Sequence, residues 1–381
     1  MKCFAPWTNI DISPNGTIKP CCKFNMRFYT DSYQLPTNSL DSYLESVFLK
    51  QVREELEQGI FPKGCERCEF DEQAGIESKR QLDYNRWKEA YDNYQISDGF
   101  ITAGIAFGNT CNLTCITCNP SSSSKWRQEW KDLYGIDTPS FKNVINDDLV
   151  EQFLSVAPNL IHIDMHGGEP FLSQIDKQKD LLQHYINIDQ SKNITIHYTT
   201  NGQQYPDNEF WELWSNFKEV DMQLSIDGIA ERYEYIRYPA NWDTLVDNVR
   251  LFINNKKKLD NIRLSVSHTV SAYNVYYLEE FFIWCIKTGL PKPYLGRVNH
   301  PARLSPEVWH DEAKKAIVEK LQSSKVKEVQ QWANILLNNK SDAKHNEFVS
   351  YAKQHDKYRG TSFVTTFPEL ENFFKEINND N

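Results

Sequence analysis

Residues 101–118 read ITAGIAFGNTCNLTCITC, an apolar run followed at once by three closely spaced cysteines. The run Ile101–Phe107 predicts a buried β-strand, because parallel strands covered on both faces are apolar throughout. Cys111, Cys115 and Cys118 follow on the loop at the carboxyl end of that strand. Loops at this end of the strands bear the functional residues of β/α barrels, so this stretch predicts both a fold and a site.

The chain downstream of this stretch repeats the order strand, loop, helix. The candidate strands are Ile101–Phe107, Leu160–Met165, Ile194–Thr199, Asp221–Ile226, Ile262–Val270 and Pro293–Val298. The candidate helices are Leu149–Val156, Lys177–Ile186, Glu209–Phe217, Trp242–Asn254 and Tyr277–Thr288. Strands that alternate with helices predict an α/β fold with a parallel sheet. Six such units, instead of the eight of a closed barrel, predict a partial (β/α)6 TIM-like barrel over residues 98–304.

The two flanking regions do not follow this pattern. Residues 1–97 contain a predicted hairpin over Asp11–Lys19, because Pro14-Asn15-Gly16 is a turn signal, followed by a helical stretch at Leu40–Glu57. Gly64–Cys68 is predicted as a loop after that helix. Residues 305–381 are polar with helical periodicity. The sequence therefore predicts a small N-terminal module (1–97), a partial barrel (98–304) and a helical C-terminal region (305–381).

Composition excludes several classes of protein. The 381 residues are 40% apolar and 13% aromatic, which is enough for a packed core and too much for a disordered chain. The net charge of −10 disfavours a general nucleic-acid or anionic-membrane binder. No apolar run reaches the roughly 20 residues needed to span a bilayer. The N-terminus lacks the apolar segment of a secretory signal, so we expect a cytoplasmic protein.

Nine cysteines are the most informative count in this composition, and eight of them fall within the first 118 residues. In a reducing compartment they predict metal or redox chemistry rather than disulfides. The triplet Cys111, Cys115 and Cys118 offers soft thiolates that suit zinc or an iron–sulfur cluster. A structural zinc site normally has a fourth ligand nearby, whereas three thiolates on a four-iron cluster leave one iron open for a further ligand.

The triplet has the CxxxCxxC spacing, and Gly167-Gly168-Glu169-Pro170 follows the second predicted strand. Together these motifs resemble the radical S-adenosylmethionine (SAM) enzymes, over roughly residues 98–300. The resemblance implies that Cys111, Cys115 and Cys118 hold a 4Fe–4S cluster whose open iron chelates SAM. The GGEP-like motif of the family meets the SAM amino group. Glycines allow a close backbone approach, and Glu169 supplies a carboxylate for an ammonium group.

Further positions resemble the family in the order of the chain. Thr199 and Asn201 end the third strand, and Ser225 and Asp227 end the fourth, where the family contacts the ribose and methionine of SAM. Arg237 resembles the arginine that approaches the SAM carboxylate. Val270 and Asn274 resemble residues that line the adenine pocket. Thr117 departs from the family, which often has an aromatic residue before the third cysteine.

The N-terminal cysteines form a second set of possible ligands: Cys3, Cys21, Cys65 and Cys68. Four thiolates fit either a fully ligated cluster or a structural zinc, and spacing alone does not choose between them. The run from Cys3 to Cys68 resembles the twitch or SPASM type of auxiliary-cluster module, which usually follows the barrel and here precedes it. The resemblance implies an auxiliary iron–sulfur cluster of the 4Fe–4S type. Cys22 is an alternative to Cys21 as a ligand.

Other residues near the predicted site have weaker signals. Arg297, Asn299 and His300 end the sixth strand on the same catalytic face, and we expect them to contact the substrate. His166 precedes the glycine pair and either faces the barrel mouth or is structural. Cys285 lies in an apolar helical stretch, where a cysteine usually behaves as a small hydrophobic residue.

The resemblance implies an enzyme that reductively cleaves SAM to a 5′-deoxyadenosyl radical, which abstracts a hydrogen atom from a substrate C–H bond. The auxiliary module favours a peptide or protein substrate, modified with help from the second cluster. The alternatives are a radical SAM dehydrogenase or epimerase of a small sugar or cyclitol, and a zinc-stapled binding module without turnover. A reductant such as flavodoxin or ferredoxin is an implied partner, whereas nucleic acid and membrane are not.

Overall fold

The computed structural model describes residues 3–29, 33–35, 37–73, 77–141, 145–298, 300–338 and 344–377. Its strands are β1 (Asn9–Ile12), β2 (Ile18–Lys19), β3 (Thr102–Ala106), β4 (His162–His166), β5 (Thr195–Thr200), β6 (Glu219–Ser225), β7 (Ile262–Val270) and β8 (Tyr294–Arg297). They form one sheet with the order β2-β1-β3-β4-β5-β6-β7-β8. The pairs β1–β3, β3–β4, β4–β5 and β7–β8 are parallel. The mixed α/β fold and all six predicted strands are confirmed.

The N-terminal hairpin adds two strands to the predicted six. Asp11 lies opposite Lys19 in an antiparallel pair, as the turn signal predicts. The same strand β1 also pairs in parallel with β3, with Asn9 opposite Thr102. The two residues are 93 positions apart and share a side-chain hydrogen bond of 2.9 Å. The sheet therefore has eight strands instead of six, because the wholly buried Ile10 and Ile12 join β1 to the core.

Gly104 on strand β3 leaves space for neighbouring polar groups. Every one of the strand's five residues is buried. A Cβ atom at Gly104 would stand 2.6 Å from Oδ2 of Asp11 and 3.2 Å from Nε2 of His166. Glycine at this position thus leaves room for an ion pair between strands β1 and β4.

The described chain forms two compact units. The first comprises Met1–Cys111, Ser140–Thr199 and Pro206–Asp221, and the second comprises Asn112–Pro139, Thr200–Tyr205 and Met222–Asn381. The helices of the first unit are α1 (Ala5–Thr8), α2 (Leu40–Leu44), α3 (Val47–Glu57), α4 (Glu66–Gln73), α5 (Lys79–Arg86), α6 (Lys88–Asp92), α8 (Asp147–Val156), α9 (Ile175–Asn187) and α10 (Asn208–Trp214). Those of the second are α7 (Trp126–Tyr134), α11 (Ala230–Ile236), α12 (Trp242–Lys256), α13 (Leu278–Thr288), α14 (Asp311–Gln322), α15 (Lys327–Asn338), α16 (His345–Arg359) and α17 (Phe363–Thr366).

Two details of the N-terminal helices differ from the predictions. The helical stretch at Leu40–Glu57 is divided into α2 and α3, because the hydroxyl of Ser46 accepts a hydrogen bond from the Leu49 amide at 3.0 Å and caps a new helix. The predicted loop at Gly64–Cys68 is wrong, since Cys68 lies on α4. Helix α4 begins with acidic residues that favour a helix start but has no clear apolar face, so periodicity does not reveal it.

The predicted helical character of the C-terminal region is confirmed for its described residues. Helices α14, α16 and α17 contribute to an apolar core that contains the buried rings of Trp309, Phe348 and Phe363. The same core includes Ile116, which lies between two cysteines of the triplet. The C-terminal helices therefore pack directly against the loop that bears Cys115 and Cys118. Across the described ranges, no helix is both long enough and apolar enough to cross a membrane.

Candidate metal centres

Four cysteines of the first unit line one cavity. Cys3 precedes α1, Cys21 follows β2, Cys65 ends a short 3-10 helix and Cys68 lies on α4. The cavity encloses about 440 Å³, including its part open to solvent, and its wall also has the apolar side chains of Phe24, Leu56 and Phe61. These are the four cysteines that the sequence grouped. Cys22 is exposed and is not among the described residues that line this cavity.

The chemistry of this cavity fits a thiolate-bound group. Burial raises the pKa of Cys3 to about 11 and that of Cys65 to about 12, and it raises the pKa of Cys21 well above its usual value. Neighbouring thiolates raise the pKa of each of these thiols further, because like charges repel. Binding of a metal centre must therefore release protons from thiols that are protonated at neutral pH. Four soft donors around one cavity suit an iron–sulfur cluster. Among the described residues, no group of three or more His, Cys, Asp or Glu side chains is arranged to hold a single metal ion.

Two basic residues at the start of α5 also line the cavity, Lys79 and Arg80. The Lys79 ammonium lies 2.7 Å from a carboxylate oxygen of Asp83. The Arg80 guanidinium forms a two-point contact with Glu72, at 2.5 and 2.6 Å. Positive charge beside four thiolates offsets the negative charge that they bring to a bound cluster.

The Gly167–Pro170 turn lies against the loop that leads to Cys111. Gly167 and Gly168 have φ angles of +86° and +55°, in the left-handed region that side chains rarely adopt. A Cβ atom at Gly168 would stand 2.2 Å from the carbonyl oxygen of Thr110. The Glu169 amide donates a hydrogen bond of 2.8 Å to that same carbonyl, and the Glu169 side chain is buried. The motif after β4 is therefore held against Thr110, the residue before Cys111. The Cys111 side chain is half-buried.

The second unit contains Cys115 and Cys118, both half-buried. The Cys118 amide donates to the Cys115 carbonyl at 2.9 Å, and so does the indole N–H of Trp126 at 3.1 Å. The Arg237 guanidinium lies 3.8 Å from the Cys115 sulfur and 2.8 Å from the Asp227 carboxylate. Three of the residues predicted from sequence thus meet in one network, and Arg237 brings its positive charge close to a cysteine sulfur.

The remaining predicted SAM contacts occupy supporting positions. Asn201 donates to the side chain of Asn112 at 2.9 Å. Asn274 is buried and donates to the carbonyl oxygens of Asp227 and Thr269, at 3.1 and 2.9 Å. Val270 is wholly buried in the apolar core. Thr199, near the end of β5, and Ser225, at the end of β6, are half-buried.

The three predicted substrate contacts have different surroundings. The Arg297 guanidinium forms an ion pair of 2.8 Å with Glu307, whose side chain is wholly buried. His300 is exposed, and Asn299 lies outside the described residues. The structure therefore places Arg297 in a salt bridge with a buried carboxylate.

A row of charged side chains on one face of the sheet was not predicted. Asp164 and His166 are two positions apart on β4, so they share a face. His166 lies 3.7 Å from Asp11, and His197 on β5 lies 3.0 Å from Asp164. Burial opposes charge on both imidazoles, yet the carboxylates outweigh it and raise the pKa of His166 and of His197. The alternation His162-x-Asp164-x-His166 is the sequence signal for this row.

Comparison with known families agrees with this division of the cysteines. Residues 105–265 match the model of the radical SAM superfamily, and residues 3–69 match the model of an iron–sulfur cluster-binding domain of the SPASM type. The first match includes the cysteine triplet and the Gly167–Pro170 turn, and the second includes all four cysteines that line the N-terminal cavity. A radical SAM domain implies a 4Fe–4S cluster and SAM, and a SPASM domain implies an auxiliary iron–sulfur cluster. No curated protein matches the chain.

Several solved structures are similar to parts of the chain. Native anSMEcpe with bound AdoMet and Cp18Cys peptide is 15% identical, with a TM-score of 0.38 over 52% of this chain and 50% of the other. Native anSMEcpe with bound AdoMet is 16% identical, with a TM-score of 0.41 over 68% and 62%. Streptococcus suis SuiB bound to S-adenosylmethionine is 13% identical, with a TM-score of 0.37 over 95% and 74%. The chain thus spans about half the length of the first of these proteins.

Proposed function

We propose that this chain, a radical SAM protein with a SPASM-type iron–sulfur module, cleaves SAM reductively and abstracts a hydrogen atom from a C–H bond of a peptide or protein. Cys111, Cys115 and Cys118 are the proposed ligands of the SAM-binding cluster. Cys3, Cys21, Cys65 and Cys68 are the proposed ligands of the auxiliary cluster. The chemistry that these groups supply when bound is one-electron transfer to SAM, which yields methionine and a 5′-deoxyadenosyl radical, together with a second site for electron transfer.

One observation carries the proposal for the first centre. The Gly167–Pro170 turn packs so closely on Thr110 that a single added carbon would collide with its carbonyl oxygen, 2.2 Å away. Residues separated by more than fifty positions are thereby fixed beside one another, and the next residue along the chain is Cys111. This is the arrangement expected if the turn and the cysteine loop serve one ligand.

The residues of the chain have distinct proposed roles. Glu169 offers its carboxylate to the ammonium group of SAM, a charge-assisted contact. Arg237 is proposed to attract the SAM carboxylate, while Asp227 holds its guanidinium in place at 2.8 Å. Thr199, Asn201, Ser225, Val270 and Asn274 are proposed to shape the rest of the SAM site, and Arg297, Asn299 and His300 to contact the substrate.

The direct test is SAM cleavage by anaerobically reconstituted protein reduced with dithionite. We expect 5′-deoxyadenosine and methionine in equal amounts, measured by mass spectrometry. If fully loaded protein forms neither product, the proposed function is wrong. A flavodoxin or ferredoxin is the proposed physiological reductant, and it should replace dithionite in the same assay.

The substrate class rests on the SPASM match at residues 3–69, since such modules are associated with peptide and protein modification. A small sugar or cyclitol is the second candidate within the same chemistry. The division into a cluster module (1–97), a partial barrel (98–304) and a helical region (305–381), and a cytoplasmic location with its reducing conditions, belong to the same proposal.

The glycine at position 168 gives a prediction for the SAM site. Gly168→Ala is expected to abolish SAM cleavage and to lower the melting temperature, because the new Cβ would collide with the Thr110 carbonyl oxygen. Gly135→Ala is the matched control: Gly135 has a φ of +68°, and nothing lies within 4 Å of a Cβ there. The control should keep SAM cleavage. Its free energy of unfolding should fall by only about 1–2 kcal/mol, the cost of an alanine in the left-handed region. Equal loss of cleavage in both variants would contradict the close-contact argument.

Lys79 gives a prediction for the auxiliary centre. Lys79→Met is expected to lower the midpoint potential of the auxiliary cluster, because removal of a nearby positive charge disfavours added negative charge. The expected shift is on the order of 60 mV, a tenfold change in a one-electron equilibrium, measured by a redox titration followed by electron paramagnetic resonance (EPR). Lys79→Arg keeps the positive charge, so its auxiliary cluster should keep the wild-type midpoint potential. Lys88→Met, on the exposed surface of α6, should leave it unchanged, and a shift of equal size there would refute a local charge effect.

A further inference from the structure

The last residue of α16 reaches back to the cysteine loop. The Arg359 guanidinium donates to the carbonyl oxygen of Thr114 at 2.7 Å and to its hydroxyl at 3.2 Å. The Arg359 side chain is 2% exposed, so these contacts are made away from water. Thr114 immediately precedes Cys115. A charged group from the C-terminal region therefore holds the peptide unit that leads into a cysteine of the triplet.

The Arg359 guanidinium also lies between two aromatic rings. Its central carbon is 5.0 Å from the ring centroids of both Trp126 and Tyr238. Both aromatic residues hold the same loop: the Trp126 indole donates to the Cys115 carbonyl at 3.1 Å, and the Tyr238 carbonyl accepts from the Thr114 amide at 2.6 Å. Arg359 thus contacts three residues that fix the backbone on either side of Cys115. Stacking suits arginine because its guanidinium is planar and weakly hydrated.

A buried carboxylate balances this charge. Glu129 on α7 accepts a hydrogen bond of 2.8 Å from Arg359 and contacts the His355 imidazole at 2.6 Å. Burial would raise the pKa of Glu129, but His355 and Arg359 outweigh it and hold that pKa below its usual value. Helix α16 makes a further, longer contact through the Tyr351 hydroxyl, 3.5 Å from the Ile116 carbonyl. Removal of one partner of such a buried pair leaves an uncompensated charge, so it should destabilise this part of the second unit.

We propose that Arg359 is a positioning residue for the cluster loop, and that α16 serves as the support that fixes residues 114–116. The inference rests on the proposed function for its catalytic meaning, and on the hydrogen bonds above for its structural part. A polar C-terminal region with no recognisable motif thereby has a role in the radical SAM site. The effect of Arg359 on a bound cluster passes through the backbone of Thr114 and Cys115.

Hydrogen exchange on the full-length protein without clusters tests the structural part. The amides of Thr114, Ile116 and Cys118 all donate within the second unit, to Tyr238, Ile236 and Cys115. Arg359→Gln is expected to speed exchange in residues 112–118 by about tenfold or more while α14 keeps its protection. Lys357→Met, on the exposed side of the same helix, should change neither the exchange rate in residues 112–118 nor the protection of α14. Unchanged exchange in 112–118, or an equal increase throughout the unit, would overturn the proposal.

A conservative variant and a spectroscopic measurement complete the test. Arg359→Lys keeps the charge but loses the planar fork, so it should fall between wild type and Arg359→Gln; if the glutamine variant does not fold, the lysine variant decides by the same criterion. In reconstituted protein, Arg359→Gln should alter the EPR spectrum of the reduced SAM-binding cluster, and Arg359→Lys should partly restore it. An unaltered spectrum would overturn the positioning role. Wild-type protein that binds no cluster would refute the proposed function and leave the exchange result standing.

Discussion

Replacement of Cys115 by alanine is expected to abolish formation of 5′-deoxyadenosine and to remove about four irons per chain. Cys115 has the central position in the cysteine triplet, and its sulfur lies 3.8 Å from the Arg237 guanidinium. A cluster that already relies on three thiolates has no spare ligand, so loss of one should prevent stable binding. Iron analysis and mass spectrometry of the products measure both effects on the same sample.

Cys285→Ala is the matched control for that variant. Cys285 is wholly buried on α13, and burial raises the pKa of its thiol to about 12, so it is an inert part of the core. The control should keep its iron and its SAM cleavage, with at most a small loss of stability. Full cleavage activity in Cys115→Ala would show that the ligand assignment is wrong.

Replacement of Cys68 by alanine is expected to remove a different set of about four irons and to spare SAM cleavage at least in part. Cys68 lines the N-terminal cavity with Cys3, Cys21 and Cys65, within one compact unit. The radical SAM match begins only at residue 105, beyond this cavity in the sequence. Modification of the substrate should be lost even where 5′-deoxyadenosine still forms, if the auxiliary cluster takes part in the reaction.

Two neighbouring cysteines refine this prediction. Cys21 lines the cavity, whereas the exposed Cys22 is outside its described lining. Cys21→Ala should therefore behave as Cys68→Ala does, and Cys22→Ala should retain about eight irons. Loss of iron in Cys22→Ala with full iron in Cys21→Ala would reverse the assignment and give Cys22 the ligand role.

Much of the fold was predictable from local pattern. Strand β7 occupies Ile262–Val270 as predicted, because alternating apolar residues and flanking turns fix it without help from the rest of the chain. The parallel pairing of β1 with β3 was not predictable in this way. It joins residues 93 positions apart, and the pattern of a four-residue strand is too short to indicate which strand it pairs with.

The candidate site likewise has features that the local sequence indicates and contacts that only the folded chain shows. The sequence groups Cys3, Cys21, Cys65 and Cys68 as possible ligands of one centre, and all four line one cavity. Spacing left Cys21 and Cys22 as alternatives, and only the direction of each side chain separates them. The contact between Arg359 and Thr114 spans 245 positions and follows no motif, so it becomes visible only when the chain is folded.

The content of iron, acid-labile sulfide and zinc in anaerobically reconstituted protein tests the central claim most directly. Two four-iron clusters on seven cysteines predict about eight irons and about eight sulfides per chain, with no zinc. The SAM-binding cluster and the auxiliary cluster should each account for half of that iron, as Cys115→Ala and Cys68→Ala would show. One or two zinc ions per chain and no sulfide would contradict the account and leave a zinc-stapled protein without radical chemistry.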